Sequence, residues 1–143
     1  MKIAIINGPN INMLGIREVS LYGAETYSSL ITRLGDHAKK MGVHAAFYQT
    51  NCEGELVSMI QAQYKKADAI ILNAAAYSHT SIAILDALKA VCIPTVCVHI
   101  TDPKKREPFR AVDYPSLFAE KTISGEGVQG YFSAVDYLVE KYG

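Results

Sequence analysis

The chain has 143 residues, half of them hydrophobic, with 14 basic and 14 acidic side chains. That length suits one compact domain over residues 1–143, with a core that needs no disulfide or metal support. Zero net charge argues against nucleic acid and anionic membranes as partners, which select a basic excess, and it leaves little repulsion to oppose self-association.

The three cysteines, Cys52, Cys92 and Cys97, form no CxxC or Cys/His cluster. Free thiols in a reducing compartment are therefore expected, and no zinc site. Only six residues precede Asn7 and Gly8, too few for a signal-peptide core, and no apolar run approaches the roughly 18–20 residues of a membrane span. The expected location is the cytoplasm.

In chain order, the apolar run at residues 2–7 predicts a first strand. The polar segment GPNINMLGIRE at 8–18 follows, then Leu21, Tyr22 and Gly23. A helix is predicted over 26–41, with Leu30, Ile31, Leu34 and Ala38 near one face and Gly42 as its stop. A second strand at 43–48 leads into Gln49, Thr50, Asn51 and Glu53. A helix over 55–65 presents Leu56, Met59, Ile60 and Gln63. The third strand, 69–73, is nearly continuous Ile and Leu, as for a strand covered on both faces. Its loop, Ala74 to Ser81, contains His79 and leads into a helix over 81–91, with Thr80 or Ser81 as cap. A fourth strand at 94–99 ends in His99 and is followed by Ile100, Thr101 and Asp102, then Arg106 to Arg110. A weak strand at 120–124 and a helix over 128–142 close the chain.

Strand and helix alternate, so the expected architecture is a parallel sheet with helices on both faces. In such sheets ligands bind beyond the carboxyl ends of the strands. Two His, two Arg, a Tyr and several Asn fall in those loops. Singly, Asn7, Asn10 and Asn12 read as turn formers, His79 as a helix-entry residue, and His99 as a core histidine. Arg17 and Arg110 read as surface charges and Tyr22 as packing. Together they suit a small, oxygen-rich anionic ligand. His37 and His44 receive no role, Cys52 and Cys92 read as inert, and Asp86 reads as surface or a subunit contact. GxxxxGK[ST] and GxSxG are absent, as is any acidic cluster for a divalent metal.

Four ordered blocks resemble the type II 3-dehydroquinases (3-dehydroquinate dehydratases). They are GPNINMLGIRE with Tyr22-Gly23, QTNCEGEL at 49–56, NAAAYSHTSIAILDAL at 73–88, and Val98-His99-Ile100 with Arg106 to Arg110. The resemblance implies an α/β, flavodoxin-like three-layer sandwich with a five-stranded parallel sheet, and trimers assembled into a dodecamer. It implies a lyase that removes water from 3-dehydroquinate to give 3-dehydroshikimate through an enolate, with no cofactor and no metal. It implies Tyr22 as the base, Arg17 favouring its anion, His99 protonating the departing hydroxyl, and Asn10 holding a water at the enolate. Asn73, His79 and Arg110 would bind substrate hydroxyls, and the backbone of Ile100 and Thr101 the carboxylate. Asp86 would reach a neighbouring subunit's site.

A phenol that ionises near pH ~10 in water needs about 4 kcal/mol of differential stabilisation to serve as a base near neutrality. A cation ~4 Å away supplies ~1 kcal/mol in bulk water and ~4 at an effective dielectric near 20. The segment from Gly15 to Gly23 is therefore expected to be a lid whose closure excludes water. At position 97, where the family usually has Glu, this chain has Cys97. Residues 97 and 99 share a strand face, and a thiol is a weak acceptor. The expectation is a slower enzyme or another partner for His99. Asp102, where the family usually has Asn, would add negative charge near the substrate carboxylate. The rival readings are a divergent paralogue that handles a related cyclic polyol acid, and a non-enzymatic flavodoxin-like module.

Overall fold

Strands and helices alternate through residues 1–143, all of which are described by the computed structural model. The strands are β1 (Lys2–Asn7), β2 (His44–Gln49), β3 (Ala69–Asn73), β4 (Thr95–His99) and β5 (Lys121–Ser124). The helices are α1 (Val19–Tyr22), α2 (Tyr27–Lys40), α3 (Glu53–Gln61), α4 (Ile82–Val91) and α5 (Gln129–Tyr142). All strand pairs are parallel, in the order β2-β1-β3-β4-β5. This is the flavodoxin-like order, whose switch point lies between β1 and β3.

The continuous apolar run of β3 is buried at every residue, because helices cover both faces of the sheet. On one face Leu30 and Leu34 of α2 and Tyr131, Val135 and Leu138 of α5 pack on Ile3, Ile5, Ile71 and Val98. On the other, Leu56 and Ile60 of α3 and Ile84 and Leu88 of α4 pack on Ile6, Ile70 and Leu72. Each such fully buried side chain contributes about 1.5–3 kcal/mol relative to exposure. No helix is long and apolar enough to cross a membrane.

Local chemistry sets the helix starts. Thr26 caps α2 by accepting the Ser29 N–H at 3.1 Å, and Ser81, not Thr80, caps α4 by accepting from Ile84 at 3.1 Å. α3 spans Glu53–Gln61 rather than 55–65. The Thr50 hydroxyl accepts the Cys52 N–H at 3.1 Å and donates to Glu55, which starts the helix early. Beyond Gln61 the chain tightens through turns to Lys65, whose φ of 59° cannot continue a helix. The four-residue α1 was not expected. It lies between Gly15 and Gly23, whose φ values are 83° and 88°.

The loops after β1 and β3 touch through backbone. Gly8 donates its N–H to the Asn73 carbonyl at 2.8 Å. A Cβ at Gly8 would lie 2.6 Å from the Ala74 carbonyl oxygen, so only glycine fits. Two further loop residues hold left-handed backbone there, Asn10 (φ 69°) and Ala75 (φ 52°). Such geometry costs about 1–3 kcal/mol per residue and tends to cluster at functional sites.

Candidate active site

A cavity of about 130 Å³ opens beyond the carboxyl ends of β1, β3 and β4. Nine of the ten residues expected from sequence line it: Asn10, Arg17, Tyr22, Asn73, His79, His99, Ile100, Thr101 and Arg110. Asp86 does not; it is exposed on α4. A larger concavity of about 580 Å³ lies along β2 and α3, where Lys2, His44 and Lys66 reach its rim without converging on one point.

Tyr22 ends α1 and is half-buried. Arg17 donates to its hydroxyl at 3.2 Å, stacks its guanidinium 4.2 Å from the ring centre, and also pairs with Glu18 at 2.8 Å. Arg106, which was assigned no role from sequence, donates to the same hydroxyl at 2.7 Å and reaches the Thr101 hydroxyl at 3.4 Å. One phenol oxygen thus receives two guanidinium donors from two different loops. Both stabilise negative charge on it.

His99 ends β4 and is almost fully buried. Its Nε2 lies 2.7 Å from Asp113 Oδ2. The expected weakness at position 97 is answered here: the histidine has a carboxylate partner from the following loop. Cys97 is buried, and burial pushes its thiol far up, with the charge of Asp113 adding to the effect. The thiol is therefore neutral. Asp102 does not face the cavity. Its carboxylate caps the turn Pro103–Lys105 by accepting the Lys104 N–H at 3.0 Å.

His79 donates Nδ1–H to the Val112 carbonyl at 2.6 Å, so Nε2 is the acceptor of the neutral ring. The ring stacks with His99 at 6.3 Å. Arg110 pairs with Glu107 at 2.5 Å, a hydrogen bond that holds that carboxyl below the usual range. Ile100 and Thr101 donate no backbone N–H to a carbonyl within the chain.

Asn73 is held by a buried relay that sequence reading missed. Its Nδ2 donates to the Tyr131 hydroxyl at 2.8 Å, which donates to Asn7 Oδ1 at 2.6 Å. Its Oδ1 accepts the Ala75 N–H at 3.1 Å. Burial pushes the Tyr131 phenol well up, so it stays a neutral donor. In α5 Tyr131 has the spacing of a core residue, and only the topology of the sheet brings it beneath the site.

The cavity thus holds a phenol flanked by two guanidinium groups and a histidine paired with a carboxylate. The family model described as dehydroquinase class II matches residues 1–139. The 3-dehydroquinate dehydratase of Fusobacterium nucleatum is 51% identical over 145 residues, covering 99% of both chains. The type II dehydroquinase structure from Butyrivibrio crossotus DSM 2876 superposes with a TM-score of 0.95 at 41% identity, covering 96% of this chain and 97% of its own. That from Propionibacterium acnes gives 0.93 at 34%, covering 97% and 96%.

Proposed function

The chain belongs to the class II dehydroquinase family and dehydrates 3-dehydroquinate, and we propose that Tyr22 is the base and His99 the acid of that elimination. The observation that carries the assignment of the base is the double guanidinium clamp on its hydroxyl. A phenolate paired with two cations in a water-poor cavity is competent to take the proton beside the ketone. The C–H bond breaks, its electron pair moves into the enolate, and the phenol is restored to neutral. A water held by Asn10 steadies the enolate oxygen. Collapse of the enolate breaks the carbon–oxygen bond of the tertiary hydroxyl, and His99 gives a proton to the departing oxygen.

Binding roles follow from position along the cavity wall. Asn73, His79 and Arg110 hold substrate hydroxyls, and the backbone N–H groups of Ile100 and Thr101 receive the carboxylate. The segment 15–23 acts as a lid: its two terminal glycines provide the hinges, and Arg106 is its latch. Residues 1–143 act as one catalytic domain in the cytoplasm, in keeping with three free thiols. Trimers build a dodecamer in which Asp86, exposed and remote from its own cavity, enters a neighbour's site. Sedimentation tests that assembly, and a monomer at working concentration would refute it.

Neither rival reading, the divergent paralogue or the non-enzymatic module, is favoured by the family match. The decisive measurement is enone absorbance on adding 3-dehydroquinate near pH 7, with Tyr22→Phe as control. Turnover is expected in the native chain and lost in the variant, which still binds substrate. A Tyr22→Phe enzyme with near-native kcat would remove the phenol from the mechanism.

A further inference from the structure

His99 has to present a proton in one direction only, so its ring must be held in both plane and tautomer. The geometry points to Asp113 as the positioning residue for this acid, an inference that rests on the reading of His99 as proton donor. The Nε2···Oδ2 distance is 2.7 Å, and both side chains are shielded, 8% and 19% exposed. The carboxylate is itself fixed. Its Oδ1 accepts the Ser116 N–H at 3.3 Å, and the Asp113 carbonyl accepts the Ser116 hydroxyl at 2.7 Å. The next residue, Tyr114, donates its N–H to the Ser78 carbonyl at 2.8 Å, which ties this turn to the loop bearing His79.

A carboxylate that accepts Nε2–H keeps the proton on that nitrogen, which leaves Nδ1 to serve the cavity. In the elimination the Nδ1–H bond breaks, the proton joins the departing hydroxyl, and water leaves. The ring remains neutral with Nε2–H still on Asp113. The charge that steadies the imidazolium before transfer comes from the loop, because position 97 on the same strand face carries an uncharged buried thiol. Cys97 lies two residues before His99 on the same strand face and feels the Asp113 charge. A carboxylate at either one can do the work.

Three variants test this: Asp113→Asn, Cys97→Glu, and the two combined. Steady-state kinetics with 3-dehydroquinate and thermal melting are read together. Asparagine keeps the acceptor for Ser116 but not the charge, so kcat is expected to fall roughly 10²-fold, as for a misaligned general acid, with KM within about threefold. The combined variant should recover at least about tenfold in kcat, which a purely structural role for Asp113 would not produce. If Asp113→Asn or the combined variant does not fold, Asp113→Glu, which keeps the charge, is expected to stay within about tenfold of native. The inference is overturned by an Asp113→Asn enzyme with native kcat, by a folded combined variant without recovery, or by an inactive, folded Asp113→Glu. A native chain that fails to turn over 3-dehydroquinate overturns the parent reading instead, so the two failures are distinct.

Discussion

Replacing Arg106 with alanine should cost the enzyme roughly 10²-fold in kcat while leaving KM within a few-fold of native. The guanidinium donates to the Tyr22 hydroxyl at 2.7 Å and both residues are half-buried. Opposite charges about 4 Å apart attract by ~1 kcal/mol in bulk water and ~4 kcal/mol at an effective dielectric near 20. A half-buried pair falls between these limits, at about 3 kcal/mol, and each 1.36 kcal/mol of barrier is tenfold in rate. Arg17 cannot make good the loss, because it is further from the oxygen, at 3.2 Å, and shares its charge with Glu18. The assay is initial-rate enone absorbance at saturating substrate near pH 7, repeated with tens of millimolar guanidinium chloride added. Added guanidinium should recover part of the rate in the alanine variant and none in the native enzyme. A kcat within threefold of native, or a defect confined to KM, would show that Arg106 only binds substrate and that one cation is enough for the base.

Three other outcomes follow from the same geometry. Gly8→Ala forces a methyl to within 2.6 Å of the Ala74 carbonyl oxygen, so the melting temperature should drop by the equivalent of about 1–3 kcal/mol; an unchanged melt would mean that the two loops do not touch. Tyr131→Phe removes the hydroxyl between Asn7 and Asn73, a loss of about 1–3 kcal/mol in stability, measured by denaturant unfolding, that should come with a raised KM; a native KM would separate the relay from binding. Burial raises both the Cys97 thiol and the Tyr131 phenol in the folded chain from ordinary values of 9.0 and 10.0. Below pH 9 neither state ionises these groups and stability is unaffected. Above pH 9 for Cys97, and above pH 10 for Tyr131, the unfolded chain releases a proton that the folded chain retains, so unfolding free energy should fall with a slope approaching about 1.4 kcal/mol per pH unit for each group in its own range. Urea melts between pH 8.5 and 10.5 should show that slope, reduced by one proton in Cys97→Ala.

The sheet was legible because its evidence is local. The Ile/Leu run at 69–73 can hardly be anything but a strand covered on both faces, and the Gly and Asn residues after 2–7 announce a strand end. What stayed hidden depends on fold-back over long separations. Asp113 lies in an unremarkable Ala-Val-Asp-Tyr stretch and meets His99 only because the chain reverses between them. Arg106 stood in the fourth sequence block without a role, because its partner Tyr22 lies 84 positions away. Tyr131 has the spacing of a core residue and reaches Asn7 from 124 positions away. α1 has only four residues, too few for any period to register. Asp102 was half legible: its charge was visible, but the cap it forms depends on the Pro103 turn that follows.

On the proposed roles, acid and base are assembled by different means, and that difference would order the reaction. Every restraint on the acid comes from segments tied by backbone hydrogen bonds: His99 holds Gly125 through its carbonyl, and Tyr114 holds Ser78. The His99–Asp113 pair therefore does not depend on the flap. Tyr22 is different, because its two cations sit on separate loops, one on the flap itself and one beyond β4. On the proposed lid motion, moving residues 15–23 outward would break the Arg106 contact and let water in, and either change would weaken the support for negative charge on the phenol. A ring-shaped acid would thus enter past a finished proton donor while the base is still incomplete, and closure over it would complete the base.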